Sequence, residues 1–152
     1  MAKLHEYPVT VAWTGAREGQ GTASADRTGV EVPLRVPPEF GGSDGAGTNP
    51  EELLAASVAS CYTITFGIIA GMRKLPVVDV STKAVGLVEE NGPQFTYKKL
   101  TLMPRIVLAA GASDDEMKMA EDMSHKADAY CIITNAVRGS VEIVVEPTIE
   151  RG

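Results

Sequence analysis

Cys61 and Cys131 are the only thiols in this chain. Two thiols that meet can pass electrons by closing and opening a disulfide. Contact requires Cα atoms about 4.4–6.8 Å apart, and the bond would close a loop of about 70 residues. Taken singly, each cysteine reads as a small buried hydrophobe. A reactive cysteine needs its thiolate stabilised. Cys61 lies about three turns into a helix, where the helix dipole has faded. A cation brought from elsewhere must then supply the stabilisation, and Arg17 or Arg35 could do so. His5 and His125 are too far apart in sequence for a His-rich zinc site. Met117, Met119 and Met123 read as helix packing, and no metal or cofactor is expected. The glycine-rich stretch 41–47 lacks the Lys and Ser/Thr of a phosphate loop, and Glu51 and Glu52 follow it.

The elements that must position the thiols follow from the patterning. Val9, Val11 and Trp13 alternate with small residues, the period of a half-buried strand. Residues 22–26 and 30–36 form two more strands, stopped by Pro37 and Pro38. Asn49 suits a helix N-cap, Pro50 the first helical position and Glu52 the third. This helix runs to about Lys74 and Pro76 closes it. Strands follow at 77–89 and 95–108, with a turn at Asn91-Gly92 and an edge or bulge at Pro104. Ser113 and Glu116 form a capping box. They lead into a stripe of Met117, Ala120, Met123 or Ser124, Ala127 and Cys131. A last strand spans 141–146. Both cysteines thus fall on inward helix faces, in an α+β chain rather than a βαβ alternation.

Composition narrows the class. A length of 152 residues favours a single domain, 1–152. The net charge of −6 argues against a nucleic-acid or anionic-membrane surface. Residues 1–13 lack the pattern of a signal peptide, pointing to a reducing, cytoplasmic setting in which disulfides are catalytic or sensory. Residues 53–72 carry no formal charge and are long enough to span a bilayer. The scattered Ser57, Ser60, Thr63, Thr65, Gly67 and Gly71 favour a helix buried on most sides instead. In so small a domain that burial calls for a second subunit.

At this point the residues resemble the OsmC/Ohr hydroperoxide reductases. Residues 47–56 with Ala59-Ser60-Cys61 are similar to the peroxidatic motif. Residues 131–139 resemble the second-cysteine motif of the organic hydroperoxide resistance branch. Gly15-Ala16-Arg17-Glu18-Gly19 is similar to its arginine loop, and residues 37–42 also fit. The resemblance implies an OsmC-like α+β fold, an intertwined homodimer whose long central helices are wrapped by antiparallel sheets. It implies that Cys61 attacks an organic hydroperoxide, that Cys131 resolves the product, and that Arg17, held by Glu51, stabilises the Cys61 thiolate. A dihydrolipoyl group or another dithiol would reduce the disulfide, in defence against oxidative stress. Glu51 and Cys61 stand about 15 Å apart along one helix. The Arg17–Glu51 pair serving each Cys61 is therefore expected from the partner subunit.

Ile132-Ile133-Thr134 replaces the branch's Pro-Tyr-Ser. Leu54, Ser57-Val58 and Tyr62 replace its Phe, Gly-Tyr and Phe. These changes fall on the pocket wall, where Leu54, Phe66, Ile132 and Ile133 are expected to line a substrate groove. Arg35 is the rival cation, since the osmotically induced branch takes its arginine from that segment. Two other functions fit the same fold: a binder of acyl ligands, and a structural stress protein with a stapling disulfide.

Overall fold

The computed structural model describes residues 1–152, and its contacts divide the chain into two units, Met1–Leu53 and Leu54–Gly152. The first unit is a three-stranded antiparallel sheet of β1 (Val9–Thr14), β2 (Gln20–Ala25) and β3 (Glu31–Leu34), in that order. After a 3-10 turn at Pro38–Phe40, backbone bonds between Thr48 and both Pro33 and Arg35 tie the end of the glycine-rich loop to β3.

Helix α1 (Pro50–Met72) starts where the sequence predicts. Asn49 Oδ1 accepts from the Glu52 N–H at 2.9 Å, satisfying one donor of the first turn. The reciprocal arm differs from a capping box. The Glu52 carboxylate accepts from the Asn49 side-chain amide and the Thr48 hydroxyl, not from the cap's backbone. At the other end Lys74 adopts φ +54°, the Leu75 N–H donates to the Ala70 carbonyl, and the Lys74 N–H donates to that of Gly71. This is a left-handed helix stop with lysine where glycine is usual, so α1 ends slightly before Lys74.

The second unit is built on β4 (Val77–Asn91) and β5 (Gln94–Leu108), a long antiparallel hairpin. Its two turn residues are Gly92 and Pro93, one position beyond the expected pair, because Gly92 takes φ +60° and Asn91 still pairs with Gln94. Beyond β5 lie β6 (Glu142–Val145) and β7 (Thr148–Arg151), both parallel to it. The expected antiparallel pairing therefore holds for the first sheet and for the hairpin, while β6 and β7 depart from it.

Pro104 sits on neither an edge nor a bulge. It pairs with Thr82 on one side. Its other side faces the gap between β6, which pairs with residues 99–102, and β7, which pairs with 105–108. Leu102 directs its carbonyl to that side, accepting from the Glu146 N–H, so the donor Pro104 lacks would have pointed there too.

Helix α2 (Asp114–Lys126) carries the full Ser113–Glu116 capping box. A 3-10 turn (Ala127–Tyr130) and a short helix α3 (Ile132–Val137) follow it. The strand–helix order expected from the sequence thus lacked α3 and β7. The core joins Val58, Tyr62, Phe66 and Ala70 of α1 to Leu100, Leu102, Ile106 and Leu108 of β5, with Ala120 and Ala127. Alternate β5 residues face this core, the period of a strand covered on one side.

By length and a mean hydropathy of 1.8, α1 could cross a membrane, but its buried stripe packs into this core instead. Within one chain only that stripe is covered. Ile64, Ile68 and Met72 lie on the opposite face at 62%, 59% and 78% exposure.

Tyr62 supplies a specific tie. Its hydroxyl donates to the Ser124 carbonyl at 2.6 Å, among the last carbonyls of α2, which lack intrahelical partners. Replacing Tyr62 with Phe should cost about 1–2 kcal/mol, since the carbonyl remains buried and loses its donor. Urea unfolding of the two proteins checks this.

Candidate active site

Both thiols lie in the second unit and meet there. Cys61 is half-buried on α1, beside the core stripe, and Cys131 is fully buried at the N-cap of α3. The Cys131 sulfur accepts from the Thr134 N–H at 3.3 Å, as a capping side chain does. Its thiol also hydrogen-bonds to the Cys61 sulfur.

Within the second unit, Cys61 is stabilised by hydrogen bonds rather than by a side-chain cation. Burial pushes the Cys61 thiol up. The Cys131 thiol, the Ile133 N–H, the Thr65 hydroxyl and the Ile132 N–H all hydrogen-bond to its sulfur and together bring it below the ordinary thiol value. Cys131 moves the other way, pushed up by burial and by its hydrogen bond to Cys61. When the pair loses one proton, Cys131 therefore keeps the other and Cys61 takes the negative charge. Iodoacetamide should modify Cys61 at a lower pH than an ordinary cysteine and Cys131 at a higher one. Peptide mass analysis of samples quenched across pH reads both midpoints.

The two isoleucine N–H groups are available because α3 begins at Ile132 and its first amides have no helical partner. Nothing in the residue types of 131–134 marks a helix start, since cysteine is an uncommon cap. That is why the residue pattern puts Cys131 at the end of α2, whereas it caps α3.

An open groove of about 450 Å³ leads to Cys61, walled by Ile64, Thr65, Tyr130, Ile132 and Ile133. Ile132 and Ile133 thus stand where the sequence predicts, but Phe66 does not. It follows Thr65 directly, about 100° further round the helix, and is fully buried in the core against β5, so it cannot touch a ligand. Leu54 is also absent from the groove lining.

The remaining predicted residues belong to the first unit. Arg17 lies in the turn after β1, with its side chain across Gly41, where φ is +80° and a Cβ would come within 3.2 Å of Arg17 Cδ. Glu51 stands in the first turn of α1. The rival, Arg35, donates from Nη2 to Gln20 Oε1 at 3.1 Å and lies against Gly45, where a Cβ would approach its Nε to 2.8 Å.

The model of the OsmC-like proteins matches residues 41–146, a span that holds both cysteines and the helices that carry them. The chain belongs to the OsmC-like family. Among its relatives is the uncharacterised protein YmaD of Bacillus subtilis (strain 168), 32% identical, the match covering 97% of each chain. An organic hydroperoxide resistance protein of Xanthomonas axonopodis pv. citri is 30% identical, covering 91% of this chain and 92% of that protein. Among solved structures, an OsmC-like protein of unknown function from Vibrio cholerae superposes with a TM-score of 0.81 at 24% identity. That match covers 95% of this chain and 100% of the other, and it shows the shared fold. An organic hydroperoxide resistance protein from Legionella pneumophila gives 0.75 at 27% identity, with 95% and 99% covered.

Proposed function

We propose that this OsmC-like protein is a cysteine-based peroxidase that reduces organic hydroperoxides to alcohols in defence against oxidative stress. The observation that carries the reading is the Cys61–Cys131 contact at the foot of an apolar groove, with Cys61 the more readily ionised of the two thiols. The Cys61 thiolate attacks the outer peroxide oxygen, the O–O bond breaks, and the alkoxide takes a proton and leaves as alcohol. Cys61 is then a sulfenic acid. The Cys131 sulfur displaces its hydroxyl, giving a disulfide and water. A dihydrolipoyl group or another dithiol returns the pair to thiols by exchange and is itself oxidised to a disulfide.

Two further parts of this proposal rest on the family resemblance. Arg17, held by Glu51 through a charge-assisted hydrogen bond, steadies the Cys61 thiolate and orients the peroxide. Arg35 is already engaged with Gln20, which favours Arg17 for this task. The pair comes from the partner subunit of a homodimer, and the exposed, uncharged Ile64–Ile68–Met72 face of α1 supports such an interface. A cytoplasmic setting fits a disulfide that must be reduced in each cycle.

The test is a thiol count. Cumene hydroperoxide added to the reduced protein should consume both thiols, and dihydrolipoamide should restore them. Unchanged thiols would leave ligand binding as the function of the groove. Loss of both thiols without turnover in the presence of dithiol would indicate a structural disulfide.

A further inference from the structure

The chain between Asp128 and Arg138 is tied to itself around Cys131. Arg138 Nη2–H donates to the Asp128 carbonyl at 3.3 Å and to its carboxylate at 3.2 Å. Arg138 Nε–H donates to Asn135 Oδ1 at 3.2 Å. The Asn135 side-chain amide donates to the Ala129 carbonyl at 2.9 Å, and the Cys131 N–H donates to the Asp128 carbonyl at 3.2 Å. Arg138 thus grips both ends of the turn that presents Cys131. Ile132 and Ile133 lie inside the same loop.

A six-residue helix has little stability of its own. Something must hold its first turn at hydrogen-bond distance from a sulfur on another helix. The core holds Cys131, Ile133 and Thr134, but Tyr130 and Ile132 on either side of Cys131 are 69% and 74% exposed, so the core grips only one side of the turn. The planar fork of Arg138 suits the task, with one arm on Asp128 and the other on Asn135.

We propose that Arg138 is a positioning residue, whose clamp on Asp128 and Asn135 aims the Cys131 thiol and the Ile132 and Ile133 N–H groups at the Cys61 sulfur. The proposal rests on Cys61 being the attacking thiol, but its test needs no hydroperoxide. If the peroxidase reading failed, the clamp would still be measurable, and the reverse also holds. The Asp128–Arg138 pair is half-exposed on the arginine side, and such pairs contribute little to global stability. Cutting it should leave the fold standing.

The experiment is the rate of iodoacetamide alkylation of the reduced full-length protein across pH, read by mass on the peptide that contains Cys61. Arg138→Ala should move the midpoint up by about one pH unit, as the bonds from Cys131, Ile132 and Ile133 to the thiolate loosen. Loss of a nearby cation alone would act in the same direction, so two further substitutions separate the causes. Asp128→Ala removes an anion, which by charge alone lowers the midpoint; loss of the clamp raises it. Arg138→Lys keeps the charge and loses the fork.

All three midpoints should rise. An Asp128→Ala midpoint at or below the parent's, or an Arg138→Lys midpoint equal to it, would overturn the proposal. Circular dichroism checks that each protein is folded. Should any of the three unfold, Asn135→Ala, which removes one arm and no charge, decides by the same rule: a rise supports the clamp, and an unchanged midpoint rejects it.

Discussion

Cys61→Ser is expected to abolish consumption of organic hydroperoxide, with a loss of about a thousandfold or more, as removal of a covalent nucleophile does elsewhere. The serine hydroxyl is nearly isosteric, so Cys131, Thr65, Ile132 and Ile133 keep their places. What disappears is a thiol that loses its proton more readily than an ordinary cysteine. The four hydrogen bonds that favour a thiolate cannot ionise a hydroxyl. A coupled assay with cumene hydroperoxide and dihydrolipoamide reads the loss. Activity within tenfold of the parent would remove Cys61 from the reaction. Cys131→Ser separates the second role: Cys61 should still be oxidised but then advance to sulfinic acid, visible by mass. Turnover equal to the parent's would show that Cys131 is not needed for resolution.

The second large effect concerns stability. Phe66→Ala should destabilise the chain by about 3–5 kcal/mol, the range for removing a buried aromatic ring. Phe66 is wholly buried among α1 and β5 residues, so the vacated space is lined by rigid neighbours that collapse only partly. Urea denaturation should show the midpoint falling with little change in slope. The same substitution should leave hydroperoxide selectivity unaltered, since the ring does not line the groove. Ile133→Ala is the contrasting case, because Ile133 does.

The helical phase of α1 explains why the sequence could not separate Phe66 from the groove. Cys61, Ile64 and Thr65 lie on one side of the helix, while Val58, Tyr62, Phe66 and Ala70 form the stripe beside it. The helix is apolar around nearly its whole circumference, so hydrophobic patterning gives no clear face. Only the packing of α1 against β5 shows which side is core.

Much of the rest was legible from local chemistry. The Asn49 and Ser113 caps mark two helix starts, because a short polar side chain before an apolar run has few other uses there. Glycine and proline mark the ends of the strands. The placing of Cys61 and Cys131 on two inward helix faces made contact between the thiols an expectation, and they do meet.

What only the tertiary structure decided is how the Cys61 charge is held. A sequence advertises charged side chains, so it pointed to an arginine. The groups that reach the sulfur within the second unit are two peptide N–H groups, a threonine hydroxyl and the other thiol. Backbone amides carry no residue signature. Their availability depends on where a helix begins, and α3 begins at a cysteine cap held by contacts between residues 128 and 138. The sequence determined which atoms could react. The fold determined which of the two sulfurs ionises more readily, because hydrogen bonding to a charge depends on position rather than on residue type.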